Sequence, residues 1–279
     1  MIVYYNGEYL PKGQLSISPD DRGFLFGDGV YEVIRSYNGK LFQLEAHFDR
    51  LKHSLAALRI NYPNVHRLTQ VTEMLIKKNE LLKNSATIYI QISRGAPVQR
   101  THRFPPSEIK PTIYAYASIF WPKTTELEKG VNVNVMNDIR WARCDIKSIA
   151  LLPNVLGSQE AKENDAAETI FVRDGYVTEG SHTNIFLIKN NSLQTYPRCH
   201  YILSGVTRQI ILELADKVGL TPLEYPFSIA ELKNADEVFL TGTTTEVTPV
   251  TRISGKPIQL CKPGSKTIEL QTLLKTLTG

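Results

Sequence analysis

The sequence predicts an α+β protein of two domains, on three observations. Short alternating apolar runs closed by Asn-Gly, Asp-Gly or Ser-Gly pairs read as β-hairpins. Longer stretches with apolar residues three and four apart read as amphipathic helices. The two kinds mix without the regular strand-helix-strand rhythm of a doubly wound sheet, and 279 residues with 42% hydrophobic content are enough for two cores.

Along the chain, Met1 to Tyr5, the turn Asn6-Gly7 and Glu8 to Leu10 form the first hairpin. Val30 to Tyr37 turns at Asn38-Gly39 into Lys40 to Leu44, and Glu45 to Leu58 sets Phe48, Leu51, Leu55 and Leu58 at helical spacing, with Arg50 inside the helix. A second helix is expected over Val65 to Leu82, then strands over Ala86 to Arg94 and Thr112 to Phe120. Between those strands lies Gly95 to Pro106, a proline-punctuated polar loop of the kind that carries function. The pattern breaks around Trp121-Pro122-Lys123, which places the domains at 1–120, the smaller, and 121–279, the larger. The second is expected to open on Val131 to Val135, with Lys147 near its start, and to continue through a helix from Asn154 to Glu163, a hairpin at Asp174-Gly175 and a strand from Thr183 to Ile188. A helix over Thr207 to Val218, a short one beyond Ser228, the strand Glu237 to Leu240, a Thr-rich turn, a hairpin at Ser254-Gly255 and a helix over Lys266 to Leu277 complete it.

Thirty-two Lys and Arg against 28 Asp and Glu leave a charge of +4, scattered rather than massed, which gives no nucleic-acid footprint. Cys144, Cys199 and Cys261 are sparse and show no CxxC pairing, so neither a disulfide framework nor a metal site is expected. The N-terminal residues lack the pattern of a signal peptide and no apolar run reaches membrane-spanning length, so a cytoplasmic location is the expectation. There is neither a GxxxxGK[ST] loop nor a GxGxxG following a strand, which leaves an ordinary nucleotide site unsupported.

Lys147 stands directly ahead of an almost wholly apolar run, Ser148 to Leu156. A desolvated lysine is pushed towards the neutral amine, a nucleophile able to join a carbonyl; a lysine in this position also reads as a surface residue lying along apolar neighbours. Gly205-Val206-Thr207 heads a helix, and unpaired amides at a helix N-terminus suit a phosphate, although Thr207, Thr243 and Thr244 read equally as capping and turn residues. Arg50 could add charge. Glu179, taken alone, reads as a surface acid after a strand.

Together, Phe26-Gly-Asp-Gly-Val-Tyr-Glu-Val33, Lys147, Val177-Thr-Glu-Gly-Ser-His-Thr-Asn-Ile-Phe186, Leu203-Ser-Gly-Val-Thr-Arg208 and Thr241-Gly-Thr-Thr-Thr-Glu-Val-Thr-Pro249 resemble the fold-type IV pyridoxal-phosphate enzymes, most closely their D-amino-acid aminotransferases. The resemblance runs nearly end to end, and it implies pyridoxal 5'-phosphate as cofactor. It gives Lys147 the catalytic and cofactor-holding role, the phosphate to Arg50, Val206, Thr207 and Thr243, the ring to Leu203 and the ring nitrogen to Glu179. A departure follows Gly180, where D-aminotransferases often carry further serines and this chain has His182 and Thr183. Similarity to the family's arginine-x-histidine loop makes Arg100 and His102, with Tyr31, the expected clamp for the substrate carboxylate, with Arg94 and Arg103 as neighbouring competitors. The implied activity is a ping-pong transamination from a D-amino acid such as D-alanine to a 2-oxo acid such as 2-oxoglutarate, in a homodimer. Alternatives within the fold are a branched-chain L-amino-acid or (R)-amine aminotransferase and a lyase of the aminodeoxychorismate type; a non-catalytic binding module stands outside it.

Overall fold

The computed structural model describes residues 1–258 and 261–278. The chain clusters into two compact units, Met1–Trp121 with Ile146–Leu151, and Pro122–Asp145 with Leu152–Gly279. Lys147, expected near the start of the second unit, therefore lies on a short segment that packs with the first.

The first unit holds β1 (Ile2–Tyr5), β2 (Glu8–Pro11), α1 (Arg22–Phe26), β3 (Gly29–Tyr37), β4 (Lys40–Leu41), α2 (Leu44–Ala57), α3 (Leu68–Lys78), β5 (Ala86–Ser93) and β6 (Thr112–Ile119). Its sheet is antiparallel throughout, in the order β2-β1-β6-β5-β3-β4. The Asn-Gly turns supply the left-handed backbone a tight hairpin needs, Asn6 and Gly7 at φ 47° and 109°, Asn38 and Gly39 at 49° and 81°. Ile88, Ile90 and Ile92 of β5 and Val30 and Ile34 of β3 form one buried face with Phe48, Leu51 and Leu55 of α2 and Leu68, Leu75 and Ile76 of α3; each buried aliphatic contributes about 1.5–3 kcal/mol. On the opposite side of the pleat Tyr31, Tyr89 and Tyr116 stack across three strands, with ring centroids 5.7 and 5.3 Å apart.

The second helix is shorter than its periodicity suggests: a 3-10 turn spans Val65–Arg67, and α3 stops at Lys78. Asn79 ends it by exchanging hydrogen bonds with Ile2 of β1, 2.7 Å to its amide and 2.8 Å from its carbonyl, and Glu80 then turns left-handed at φ 59°.

The second unit holds α4 (Thr124–Lys129), β7 (Val131–Asn137), α5 (Leu152–Glu163), β8 (Glu168–Arg173), β9 (Tyr176–Gly180), β10 (Asn184–Lys189), β11 (Ser192–Thr195), α6 (Val206–Leu214), β12 (Thr221–Glu224), β13 (Phe227–Ser228), α7 (Ile229–Lys233), β14 (Glu237–Gly242), β15 (Glu246–Ile253), β16 (Lys256–Pro257) and α8 (Ser265–Thr278). Nine strands run in the order β12-β11-β10-β14-β15-β7-β8-β9-β13, with β16 on β15, and the pairs β11/β12, β15/β7 and β7/β8 are parallel. Residues 184–188 of β10 and 237–241 of β14 are buried on both faces, which is why these strands read as continuous apolar runs rather than alternating ones. α6 packs on β14 and α8 on β15. Among the described residues no helix is long and apolar enough to cross a membrane.

Candidate active site

In the first unit the lysine segment joins β3 as an added piece of strand. The Lys147 carbonyl accepts from the Tyr31 amide at 3.0 Å, its amide donates to Ser54 Oγ of α2 at 3.1 Å, and Ile149 donates to the Gly29 carbonyl at 3.0 Å. Lys147 is half-buried between buried Ile146 and Ser148, and its Nζ lies 4.4 Å from the centre of the Tyr31 ring. Its backbone is thus fixed on both sides, and its side chain lies against the aromatic face of β3.

Arg50 is held just as firmly. Glu32, on the inward face of β3 with Val30 and Ile34, is fully buried, and it accepts from Arg50 Nε and Nη2, each at 2.8 Å. His47 Nδ1 meets the same carboxylate at 2.8 Å. Burial alone would raise the Glu32 carboxyl, but the Arg50 charge and the hydrogen bonds from Arg50 and His47 outweigh it and hold the group far below the usual carboxylate range. Burial pushes His47 down, with the Arg50 and Lys147 charges acting in the same direction against Glu32. Lys147, Tyr31 and Arg50 are thus drawn together with two residues the sequence reading passed over.

Arg100 and His102 gather elsewhere in that unit. The Arg100 guanidinium lies 4.7 Å from the Phe26 ring centre, and the His102 ring 5.5 Å from it. Both side chains are exposed. Their competitor Arg94 is committed to Asp28, at 2.8 and 2.9 Å, and to the Leu58 and Arg59 carbonyls.

In the second unit Glu179, next to the last residue of β9, is a buried carboxylate. It receives Arg140 Nη1, Asn184 Nδ2 at 3.0 Å and the Leu203 amide at 3.0 and 3.1 Å. Burial raises its pKa above the ordinary value, while Arg140 and the Leu203 amide pull against it. Asp138 aligns Arg140 at 2.9 Å from the other side. The departure after Gly180 closes on another buried acid, Glu168: the Ser181 and Thr183 hydroxyls donate to it at 2.5 and 2.9 Å, and His182 Nδ1 sits 2.9 Å away. Histidine and threonine there keep the turn behind Glu179 hydrogen-bonded.

Asn184 also donates to the Leu203 carbonyl at 2.9 Å, joining Glu179 to the segment that leads into α6. That helix begins with buried Val206 and Thr207 after Gly205, an N-cap residue that supplies no side-chain cap. A Cβ on Gly205 would collide with Asn184 Oδ1, so the helix start approaches as closely as it does because the residue is glycine. Thr243 lies in the turn between β14 and β15, two residues after Thr241, whose buried hydroxyl has no partner among the described residues.

These donors fit pyridoxal phosphate. In the second unit, the amides at the start of α6 and the unpartnered Thr241 hydroxyl are of the kind a phosphate needs, and buried Glu179 is of the kind a protonated ring nitrogen needs. In the first, the backbone-fixed Lys147 amine is of the kind a carbonyl needs. Of the residues the sequence reading missed, Glu32, His47, Glu168 and Arg140, Glu32 carries a signal: a charge placed where the apolar pattern demands burial. Glu32 occupies the slot between Val30 and Ile34 on the inward side of β3.

Comparison with known proteins gives the family. The model of the family described as amino-transferase class IV matches residues 29–253. The chain is 41% identical over 278 residues to D-alanine aminotransferase of Bacillus licheniformis, covering 99% of this chain and 96% of that protein. It is 40% identical over 270 residues to D-alanine aminotransferase of Staphylococcus haemolyticus, covering 96% and 95%. Among solved structures, the branched-chain amino acid aminotransferase of Escherichia coli superposes with a TM-score of 0.93 at 27% identity, over 99% of this chain and 94% of that one. A branched-chain amino acid aminotransferase from T.th., solved with pyridoxamine 5'-phosphate, superposes at 0.89 and 25% identity, over 100% and 94%.

Proposed function

The chain belongs to the class IV aminotransferases, and from that premise we propose that it moves the amino group of a D-amino acid such as D-alanine to a 2-oxo acid such as 2-oxoglutarate. The observation that carries the substrate reading is the 40 and 41% identity to D-alanine aminotransferases over nearly the whole chain, against 27 and 25% to the branched-chain enzymes. The fold is common to both and does not choose between them.

Pyridoxal 5'-phosphate is the cofactor, and when bound it supplies the electron sink that lets an amino acid give up its α-proton and exchange its amino group. Lys147 would hold it through Nζ; Arg50, Val206, Thr207 and Thr243 would hold its phosphate, Leu203 its ring and Glu179 its ring nitrogen. Lys147 Nζ is also the base that takes the proton from the substrate α-carbon. Tyr31, beside Lys147, presents an aromatic face to that amine. Glu179, a buried carboxylate, would face the ring nitrogen and favour its protonated form. Arg50 brings charge in a direction set by Glu32 and His47. Arg100 and His102, on the Phe26 ring, and Tyr31, beside Lys147, would receive the substrate carboxylate.

The working form in this reading is a homodimer in the cytoplasm, a compartment in keeping with the free thiols of Cys144, Cys199 and Cys261. The test is a half-reaction without acceptor, followed by the cofactor's visible absorbance. D-alanine should discharge the band and L-leucine should leave it; the opposite result keeps the family and overturns the substrate.

A further inference from the structure

The loop Gly95 to Pro106 is long and polar, and its two reading residues, Arg100 and His102, are exposed. Exposed side chains on such a loop have little to hold them in one direction, and a charged clamp that wanders loses much of its effect on binding. What limits the wandering here is a buried arginine beneath the loop.

Arg22, in the first turn of α1, touches the loop at three points. Its amide donates to the Gly95 carbonyl at 2.9 Å, and its Nη1 donates to the carbonyls of Thr101 at 2.6 Å and Arg103 at 3.3 Å. Thr101 and Arg103 are the two neighbours of His102, so one guanidinium fixes the backbone on both sides of that residue. Arg22 is itself held by Asp28, whose Oδ2 accepts Nε at 2.7 Å. Asp28 also accepts Arg94 Nε and Nη2, and Arg94 reaches on to the Leu58 and Arg59 carbonyls past the end of α2. The strap is therefore anchored in the body of the unit rather than in the loop.

Phe26, at the other end of α1, completes it. Three groups share its ring: the guanidiniums of Arg22 and Arg100, at 4.8 and 4.7 Å from its centre, and His102 at 5.5 Å between centroids. The ring gives the two exposed side chains a common face to lie on. α1 is short but closed at both ends, Asp21 capping the Gly23 amide at 2.8 Å and Gly27 turning left-handed at φ 65°, so Arg22 and Phe26 keep a fixed spacing. Burial would raise the Asp28 carboxyl, but Arg94 and Arg22 hold it below its ordinary value, so it stays an acceptor across the neutral range.

We infer that Arg22, seated on Asp28, and Phe26 are positioning residues for substrate-carboxylate recognition, holding Arg100 and His102 in the direction in which they receive it. This rests on the proposed role of those two residues. Neither Arg22 nor Phe26 has a part in moving the proton, so their loss should appear in carboxylate affinity and not in the chemical step.

The experiment compares Arg22→Lys, Phe26→Leu and Arg100→Ala with the parent holoenzyme. It measures KM and kcat for D-alanine, the dissociation constant of propionate by calorimetry, and hydrogen exchange of peptides covering 96–106. Arg22→Lys keeps the charge but loses the fork, and Phe26→Leu, at a half-buried position, keeps apolar bulk and carries the test if the lysine variant fails to fold. In both variants KM and the propionate constant should rise about tenfold, the scale of a lost charge-assisted hydrogen bond, with kcat within about twofold and faster exchange in the loop. The inference is overturned if Arg100→Ala raises KM while neither strap variant does, or if kcat and cofactor retention collapse along with KM. If Arg100→Ala itself leaves KM and propionate binding unchanged, the carboxylate role of the loop is what fails, and the inference falls with it.

Discussion

Glu32 grips Arg50 at two points, Oε1 on Nε and Oε2 on Nη2, each at 2.8 Å, from a strand position with no solvent exposure. A fork of this kind sets direction more than affinity, because burying both charges costs much of what their attraction returns. Glu32→Gln should leave Arg50 present but free to turn, and pyridoxal phosphate should then bind about 10–100-fold more weakly, equivalent to about 1.4–2.7 kcal/mol. Titration of the cofactor-free protein with pyridoxal phosphate measures this, and unchanged affinity would separate Arg50 from the phosphate.

The same network sets the acid limb of stability. Glu32 and Asp28 both lie below their ordinary values in the folded state. Groups shifted in that direction contribute stability that is present above their unfolded pKa, about 4, and is lost as pH falls towards the folded value. His47, lowered chiefly by burial, has the same sign with an earlier onset: the unfolded chain takes up its proton near pH 6.5 while the folded chain resists. Urea midpoints should therefore be level above about pH 7, fall gently below about 6.5 and steeply below about 4.5. Glu32→Gln should start lower at neutral pH and lose less across the steep interval; a midpoint that rises on acidification would contradict the network.

The cysteines should separate by environment. Burial pushes the Cys144 thiol up to about 12, and the thiol donates to the Trp141 carbonyl at 3.2 Å. Cys261 is exposed. At pH 8 a thiol titrating near 12 is thiolate in only about one molecule in ten thousand, against about a quarter for an ordinary one. An aromatic disulfide reagent should label Cys261 within the mixing time or shortly after, and label Cys144 only on unfolding. Rapid native labelling at Cys144, located by peptide mass, would mean that its surroundings open.

What the sequence made legible is what is coded locally. The turns at Asn6-Gly7, Asn38-Gly39, Asp174-Gly175 and Ser254-Gly255 all adopt positive φ at both residues, because those pairs tolerate it best. The short helix α1 was missed although Asp21 and Gly27 mark its ends: five residues are too few for a periodicity. The strand β12 was missed because its four residues are all exposed and include Pro222, so no alternation survives; its parallel pairing with β11 is decided by residues far away in sequence. The motifs named Lys147, Glu179 and the start of α6 as candidates, and nothing in their spacing singled out Glu32, Arg140 or Arg22. The function of those three lies in what they grip, a matter of tertiary distance rather than spacing along the chain.

Gly205 offers the sharpest separation of local from tertiary causes. Its φ of −66° is open to any residue, so backbone conformation gives no reason for glycine there. The obstacle is Asn184 Oδ1, with which a Cβ would collide. Asn184 cannot move without cost, since its Nδ2 holds Glu179 at 3.0 Å and the Leu203 carbonyl at 2.9 Å. Gly205→Ala should therefore destabilise the protein by about 1–3 kcal/mol, more than the few tenths that separate alanine from glycine at a helix N-cap, and lower activity by freeing Glu179. With Asn184→Ala in place the severe clash is removed and a tight contact with Arg208 Cβ at 3.2 Å is left, so adding Gly205→Ala should cost less than in the parent, a coupling of about 1 kcal/mol or more between the two positions. Urea unfolding of both single variants and the double variant closes the cycle. Equal cost of Gly205→Ala in the two backgrounds would mean that the helix start, and not its contact with Asn184, demands the glycine.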